Sequence, residues 1–125
     1  MLMKRKRIYF FVGTTAELIK LAPIIREFKK RKIDFKFITS GQTRVLFEDL
    51  RGYIGNIKVD IAFKEKGKKS SIFLFGIWAL RTFFTALISL GKEFKGLNRE
   101  NSYFIIHGDT VSSLIGALLA KIYGI

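Results

Sequence analysis

The stretch RIYFFVGTTAELIKLAP, residues 7–23, holds the change of period that decides the fold. Residues 7–12 are a short apolar, aromatic run that stops at Gly13, which is how a buried strand reads. Beyond Thr15 the apolar positions fall at Leu18, Leu21, Ala22, Ile25 and Phe28, a helical spacing that predicts a helix over 15–31. Pro23 lies inside it, and its missing N–H predicts a kink or a local loosening.

The same alternation continues outward. Residues 34–39 (DFKFIT) read as a second strand, with Phe35 and Phe37 alternating with Asp34 and Lys36. Ser40 and Gly41 turn the chain into a short helix over 43–51. Residues 56–63 (NIKVDIAF) predict a third strand, 64–69 (KEKGKK) a charged loop, and 71–95 a long apolar helix. A fourth strand follows at 102–107 (SYFIIH). The last helix, 110–123, is expected to set Val111, Leu114, Ile115, Leu118, Leu119 and Ile122 on one face, with Gly124 ending it. Four strands alternating with four helices predict an α/β fold, a Rossmann-like and mostly parallel sheet with right-handed crossovers, in one domain over residues 1–125. In such sheets ligands sit at the carboxyl ends of the strands, near a topological switch point.

Composition narrows the chemistry. Hydrophobic residues make up 49% of the chain, enough for a core and too many for a disordered segment. With no cysteine, disulfides and thiolate metal sites are excluded, and the single histidine, His107, excludes a multi-histidine metal site. Gly13 stands alone, without a G-x-G-x-x-G string, so no dinucleotide cofactor is expected. Residues 1–69 hold 18 Lys/Arg against 7 Asp/Glu, a net of +11; residues 70–125 hold 5 against 3, a net of +2. A basic first half suits phosphates, nucleic acid or an anionic membrane, or is simply a solvated surface. No stacking-and-basic module pattern is present, so nucleic acid is not an expected partner. Lys4 to Arg7 imitate the start of a signal peptide, but the apolar run Ile8 to Val12 is too short for one.

Three strings fall at strand ends. In the first, Gly13 permits a tight turn, Thr14 and Glu17 fit a capping box, and the helix N-terminus offers N–H groups to a phosphate. Lys20 lies about one and a half turns further on and could reach back to that anion. An ordinary capped helix with a surface lysine accounts for the same residues. In the second, His107-Gly108-Asp109-Thr110, Asp109 is a candidate acid or base, and either Asp109 or Thr110 is a candidate N-cap. His107 is ambiguous, fitting a hydrogen-bonded strand-end residue rather than a proton carrier. In the third, Ser40-Gly41-Gln42-Thr43-Arg44, Gln42 and Arg44 could contact a ligand, or form a polar turn with a surface arginine.

Together these strings resemble the non-hydrolysing UDP-N-acetylglucosamine 2-epimerases. The G-T-x-x-E-x-I-K-x-A-P string from Gly13 to Pro23, the S-G-Q at 40–42 and the H-G-D-T at 107–110 carry the resemblance, which spans essentially the whole chain. It implies the N-terminal lobe of a GT-B-type two-lobed fold, with a UDP-sugar in the cleft between the lobes and the full-length enzyme a homodimer. It further implies Asp109 as a catalytic residue, with Gly13, Thr14, Thr15, Lys20, Gln42, Arg44, His107 and Thr110 near the substrate. The implied reaction inverts C2 of the sugar by elimination and re-addition of UDP, in cytoplasmic polysaccharide biosynthesis. Thr15 and Ala16 replace the family's usual Arg-Pro, removing a diphosphate contact, and Thr43 stands where a histidine often follows the glutamine. The family's glutamate motif and second lobe are not among these 125 residues, so the chain is expected to be inactive alone.

Residues 72–90 (IFLFGIWALRTFFTALISL) carry one charge in 19 residues. They fit a buried crossover helix, a helix in a membrane interface, or a span in which Arg81 would stand at the centre. KEKGKK before it, with Lys92 and Lys95 after it, suits an anionic membrane surface contacted through 64–95 at the inner face. Two alternatives follow: a glycosyltransferase lobe of the same architecture, split and membrane-docked, and a non-catalytic membrane-associated binding module.

Overall fold

Strand β1 (Arg7–Val12) lies inside a four-stranded sheet whose strands run, in order across it, at residues 61–62, 36–39, 7–12 and 102–105, every neighbouring pair parallel. The computed structural model describes residues 6–67 and 71–125; Lys4, Arg5, Lys68 and Lys69 of the basic runs lie outside them. After β1 come α1 (Thr15–Lys30), β2 (Lys36–Thr39), a 3-10 turn at Glu48–Leu50, α2 (Arg51–Ile54), β3 (Ile61–Ala62), α3 (Ile72–Glu93), β4 (Ser102–Ile105) and α4 (Val111–Tyr123).

Successive side chains of a strand point to opposite faces, and β1 shows this directly. Phe10 and Val12 join Leu18, Leu21, Ala22 and Ile25 of α1, whereas Tyr9 and Phe11 join Trp78, Ala86 and Leu90 of α3 and Ile115 and Leu119 of α4. Helices α1 and α2 therefore cover one face, and α3 and α4 the other. Aromatic rings fill both layers in edge-to-face pairs, such as Phe10 with Phe35 at 5.1 Å and Tyr9 with Phe94 at 5.0 Å. Gly116 lets α4 lie close to the sheet: a Cβ there would stand 2.8 Å from Ile106 Cγ2 and 2.9 Å from Phe11 Cδ1.

The α/β class, the parallel sheet and most elements stand where periodicity puts them. Four details differ. Helix α1 runs unbroken through Pro23, which sits on its exposed face, so the carbonyl deprived of a partner is at the solvent side. The helix expected over 43–51 is instead the 3-10 turn at Glu48–Leu50 and the single turn Arg51–Ile54. The strand expected over 56–63 shrinks to Ile61–Ala62, because only these residues pair with Ile38 and Thr39 at the end of β2. Finally, Leu114, Leu118 and Ile122 of α4 face outward, and the buried face is Ser112, Ser113, Ile115, Gly116 and Leu119.

Candidate functional site at the strand carboxyl ends

The chain steps outward from β1 to β2 and β3, then returns to lay β4 on the other side of β1. That reversal makes the carboxyl ends of β1 and β4 the switch point, where a crevice forms between diverging loops. The loop after β1 carries Gly13 and Thr14, and the loop after β4 carries His107 to Thr110.

Glu17 joins the two loops. Its side chain is 2% exposed, and both oxygens are engaged. Oε2 accepts from Gly13 N at 2.8 Å, Thr14 N at 2.8 Å and Thr14 Oγ1 at 3.1 Å; Oε1 accepts from Thr110 Oγ1 at 2.7 Å and Ser113 Oγ at 3.0 Å. The capping box forms, with Thr14 Oγ1 accepting from Glu17 N. The protein's own carboxylate thus occupies the Gly13 and Thr14 N–H groups that sequence offers to a phosphate. An anion at this end meets instead the N–H groups of Thr15 and Ala16, which have no intrahelical acceptor.

Gly13 owes its identity to close approach. Its φ is outside the left-handed region, and a Cβ would lie 2.0 Å from Ser112 Oγ and 2.7 Å from Ser40 Oγ. Gly108 and Gly41 are the glycines of these loops that need a positive φ, at 104° and 83°.

The loop after β2 is tied in by hydroxyls. Ser40 Oγ and Ser112 Oγ share a hydrogen bond of 2.6 Å, and Gln42 Oε1 accepts from Ser112 Oγ at 2.6 Å and Ser112 N at 3.1 Å. Gln42 therefore supplies an acceptor to the first turn of α4. Thr43 N donates to Gly13 O at 2.9 Å, and Leu46 N donates to Thr15 Oγ1 at 3.0 Å. Thr110, not Asp109, is the N-cap of α4 and accepts from Ser113 N. Asp109 is left exposed, as are Lys20 and Arg44, and no described hydrogen bond or ion pair holds the side chain of any of the three. His107 O accepts from Ser113 Oγ, while its ring Nδ1 is shut away from solvent without a described partner.

The buried web is a floor; exposed Asp109, beside Thr110, and Arg44, whose carbonyl accepts from Thr15 Oγ1 at 3.5 Å, are its rim, and no described contact brings the Lys20 side chain to it. Sequence reasoning reduced Glu17 to a cap and Ser40 to a turn residue, and passed over Ser112 and Ser113. The available signal was a pair of serines one residue beyond H-G-D-T in an otherwise apolar helix. The rim is open. A cavity of about 350 Å³ lies instead beside α3, and one of about 830 Å³ opens at the amino ends of the strands near Arg7, Lys36 and Glu93.

Solved structures share this fold. A UDP-N-acetylglucosamine 2-epimerase superposes with a TM-score of 0.65 at 25% identity, over 97% of this chain and 30% of its own. The fold is that of a GT-B-type lobe. A putative UDP-N-acetylglucosamine 2-epimerase from Listeria monocytogenes gives a TM-score of 0.70 at 21% identity, over 96% of this chain and 29% of its own. MurG from Acinetobacter baumannii gives 0.56 at 13% identity, over 96% of this chain and 33% of its own. The last two likenesses are of fold alone, and the chain spans about 30% of the length of the epimerase structures. No family model matches the sequence, and neither does any curated protein.

Proposed function

We propose that this chain is the nucleotide-sugar lobe of a UDP-N-acetylglucosamine 2-epimerase, completed by a second lobe on further polypeptide. The observation that carries the reading is the meeting of the Gly13 and His107 loops at the switch point, through Glu17 and Thr110, in a fold shared with epimerase structures.

The reaction has two halves. A base removes the C2 proton as the bond from C1 to the UDP oxygen breaks, leaving a glycal and UDP. Re-addition returns UDP to C1 and a proton to the opposite face of C2. Asp109 is the exposed carboxylate at the rim and serves as the acid or base. Lys20, Arg44 and the free N–H groups of Thr15 and Ala16 stabilise the departing diphosphate, taking over from the family's arginine. Closure of the second lobe over the open rim excludes water and strengthens these interactions.

The test is interconversion of UDP-N-acetylglucosamine and UDP-N-acetylmannosamine by the intact protein, followed by proton NMR. Asp109→Asn is expected to lower kcat by about 100-fold or more with the fold unchanged. Unaltered turnover in that variant sinks the role of Asp109. The fold shared with MurG favours one other reading, a glycosyltransferase lobe. Sugar transfer to an acceptor without release of UDP-N-acetylmannosamine selects it.

A further inference from the structure

Helix α3 buries one stripe and exposes another just as apolar. Trp78, Thr82, Ala86 and Leu90 face the sheet. On the opposite side Phe73, Ile77, Leu80, Phe84 and Ile88 recur at helical spacing, with Leu80 62%, Phe84 56% and Ile88 80% exposed. Contiguous apolar surface of this kind marks a partner.

Charge identifies the partner. Arg81 and Lys92 follow one border of the stripe, and the loop after β3 adds Lys64 and Lys66 at its amino-terminal end. The cavity of about 350 Å³ sits on this border, with Lys64, Lys66 and Arg81 beside Leu74, Ile77 and Trp78. Its basic loop is held in place: Trp78 Nε1 donates to Lys64 O at 3.2 Å, and Lys66 N donates to Gly41 O at 2.7 Å. Glu65 is the one carboxylate among the lining residues. Two-fold pairing of this face with a second copy would crowd cationic borders of a chain of net charge +13. An anionic bilayer offers hydrocarbon to the stripe and phosphates to the border at once.

The helix is long and apolar enough to cross a membrane by length and composition. Crossing would pull its buried stripe off Tyr9 and Phe11 and strand Arg81 in hydrocarbon. Lying in the plane of the interface keeps the core intact.

We infer that the outer face of α3 docks this protein on an anionic lipid bilayer. Phe73, Ile77, Leu80, Phe84 and Ile88 enter the boundary between headgroups and acyl chains, and Lys64, Lys66 and Arg81 take lipid phosphate at the cavity. The inference is independent of the enzymatic reading.

Flotation of the intact protein with vesicles tests it. Wild type is expected to float with equimolar phosphatidylcholine and phosphatidylglycerol, to stay behind with phosphatidylcholine alone, and to be released by salt. Leu80→Glu with Phe84→Glu removes the apolar contact at exposed positions, and Lys64→Glu with Arg81→Glu reverses the border. Each pair is expected to lower vesicle binding by roughly tenfold or more while circular dichroism stays unchanged. Equal flotation with neutral vesicles, wild-type flotation by both pairs, or no flotation at all overturns the proposal. A dimer in sedimentation velocity that Leu80→Glu with Phe84→Glu dissociates, in a protein that ignores vesicles, assigns the face to self-association and also overturns it.

Discussion

Glu17, in the first turn of α1, accepts a 2.7 Å hydrogen bond from Thr110, the N-cap of α4, across 93 positions of sequence. This contact makes one site of two loops that the chain places far apart.

Replacing Glu17 should therefore damage the fold before it damages chemistry. Glu17→Ala takes the carboxylate acceptor from Gly13 N, Thr14 N and Thr110 Oγ1, while Ser113 Oγ keeps His107 O. Each buried donor so abandoned costs roughly 1–3 kcal/mol, so a loss of about 3 kcal/mol or more is expected in urea denaturation. A midpoint within error of wild type would show that the carboxylate holds nothing together.

Gly13→Ala is expected to destabilise by roughly 1–3 kcal/mol through overpacking, since the new Cβ would collide with Ser112. Adding Ser112→Gly should recover part of the loss, giving a clear coupling in a double-mutant cycle. Strictly additive losses would mean that the two positions do not press on each other.

Asp109 and Thr110 are neighbours with separate jobs. Thr110→Ala removes an N-cap and should cost about 0.5–2 kcal/mol of stability. Asp109→Asn, at an exposed position without a described partner, should stay within about 0.5 kcal/mol of wild type. Thermal melts of the two variants check this; a large loss from Asp109→Asn would make its effect on turnover structural.

Burial, aided by the carboxylate of Glu93, raises the Tyr9 phenol from its ordinary value of 10.0 to about 12. Tyr9 Oη donates to Glu93 Oε1 at 3.0 Å, and Lys36 holds the same oxygen. A raised folded-state value means that the unfolded chain loses its proton first as pH rises. The stabilisation is complete below pH 10 and disappears towards pH 12. Melting temperature should fall across that window, and Tyr9→Phe should flatten the fall relative to wild type. Parallel curves for the two proteins would remove Tyr9 from the account.

Local periodicity carried most of the fold. Leu18, Leu21, Ala22 and Ile25 were legible as the buried face of α1 because helix spacing alone aligns them, and the core confirms it. The same logic failed for α4, where an almost wholly apolar helix offers no polar side to exclude. There the buried face was chosen by Gly116 and by the hydroxyls of Ser112 and Ser113. It failed again at residues 56–63, where alternation was present but the chain meets β2 only from Asp60 to Phe63, with Ile61 and Ala62 as the ladder partners.

By itself the sequence determined the strand-and-helix alternation, the parallel α/β class and the position of the candidate strings at strand ends, because each of these depends on residues close in the chain. The tertiary structure alone decided that β4 pairs with β1, that Glu17 rather than a ligand fills the Gly13 and Thr14 N–H groups, and that one side of α3 is left bare. Those outcomes depend on which elements meet across the sheet. A buried carboxylate finds its donors, and an apolar stripe its cover, only once the packing of distant segments is complete.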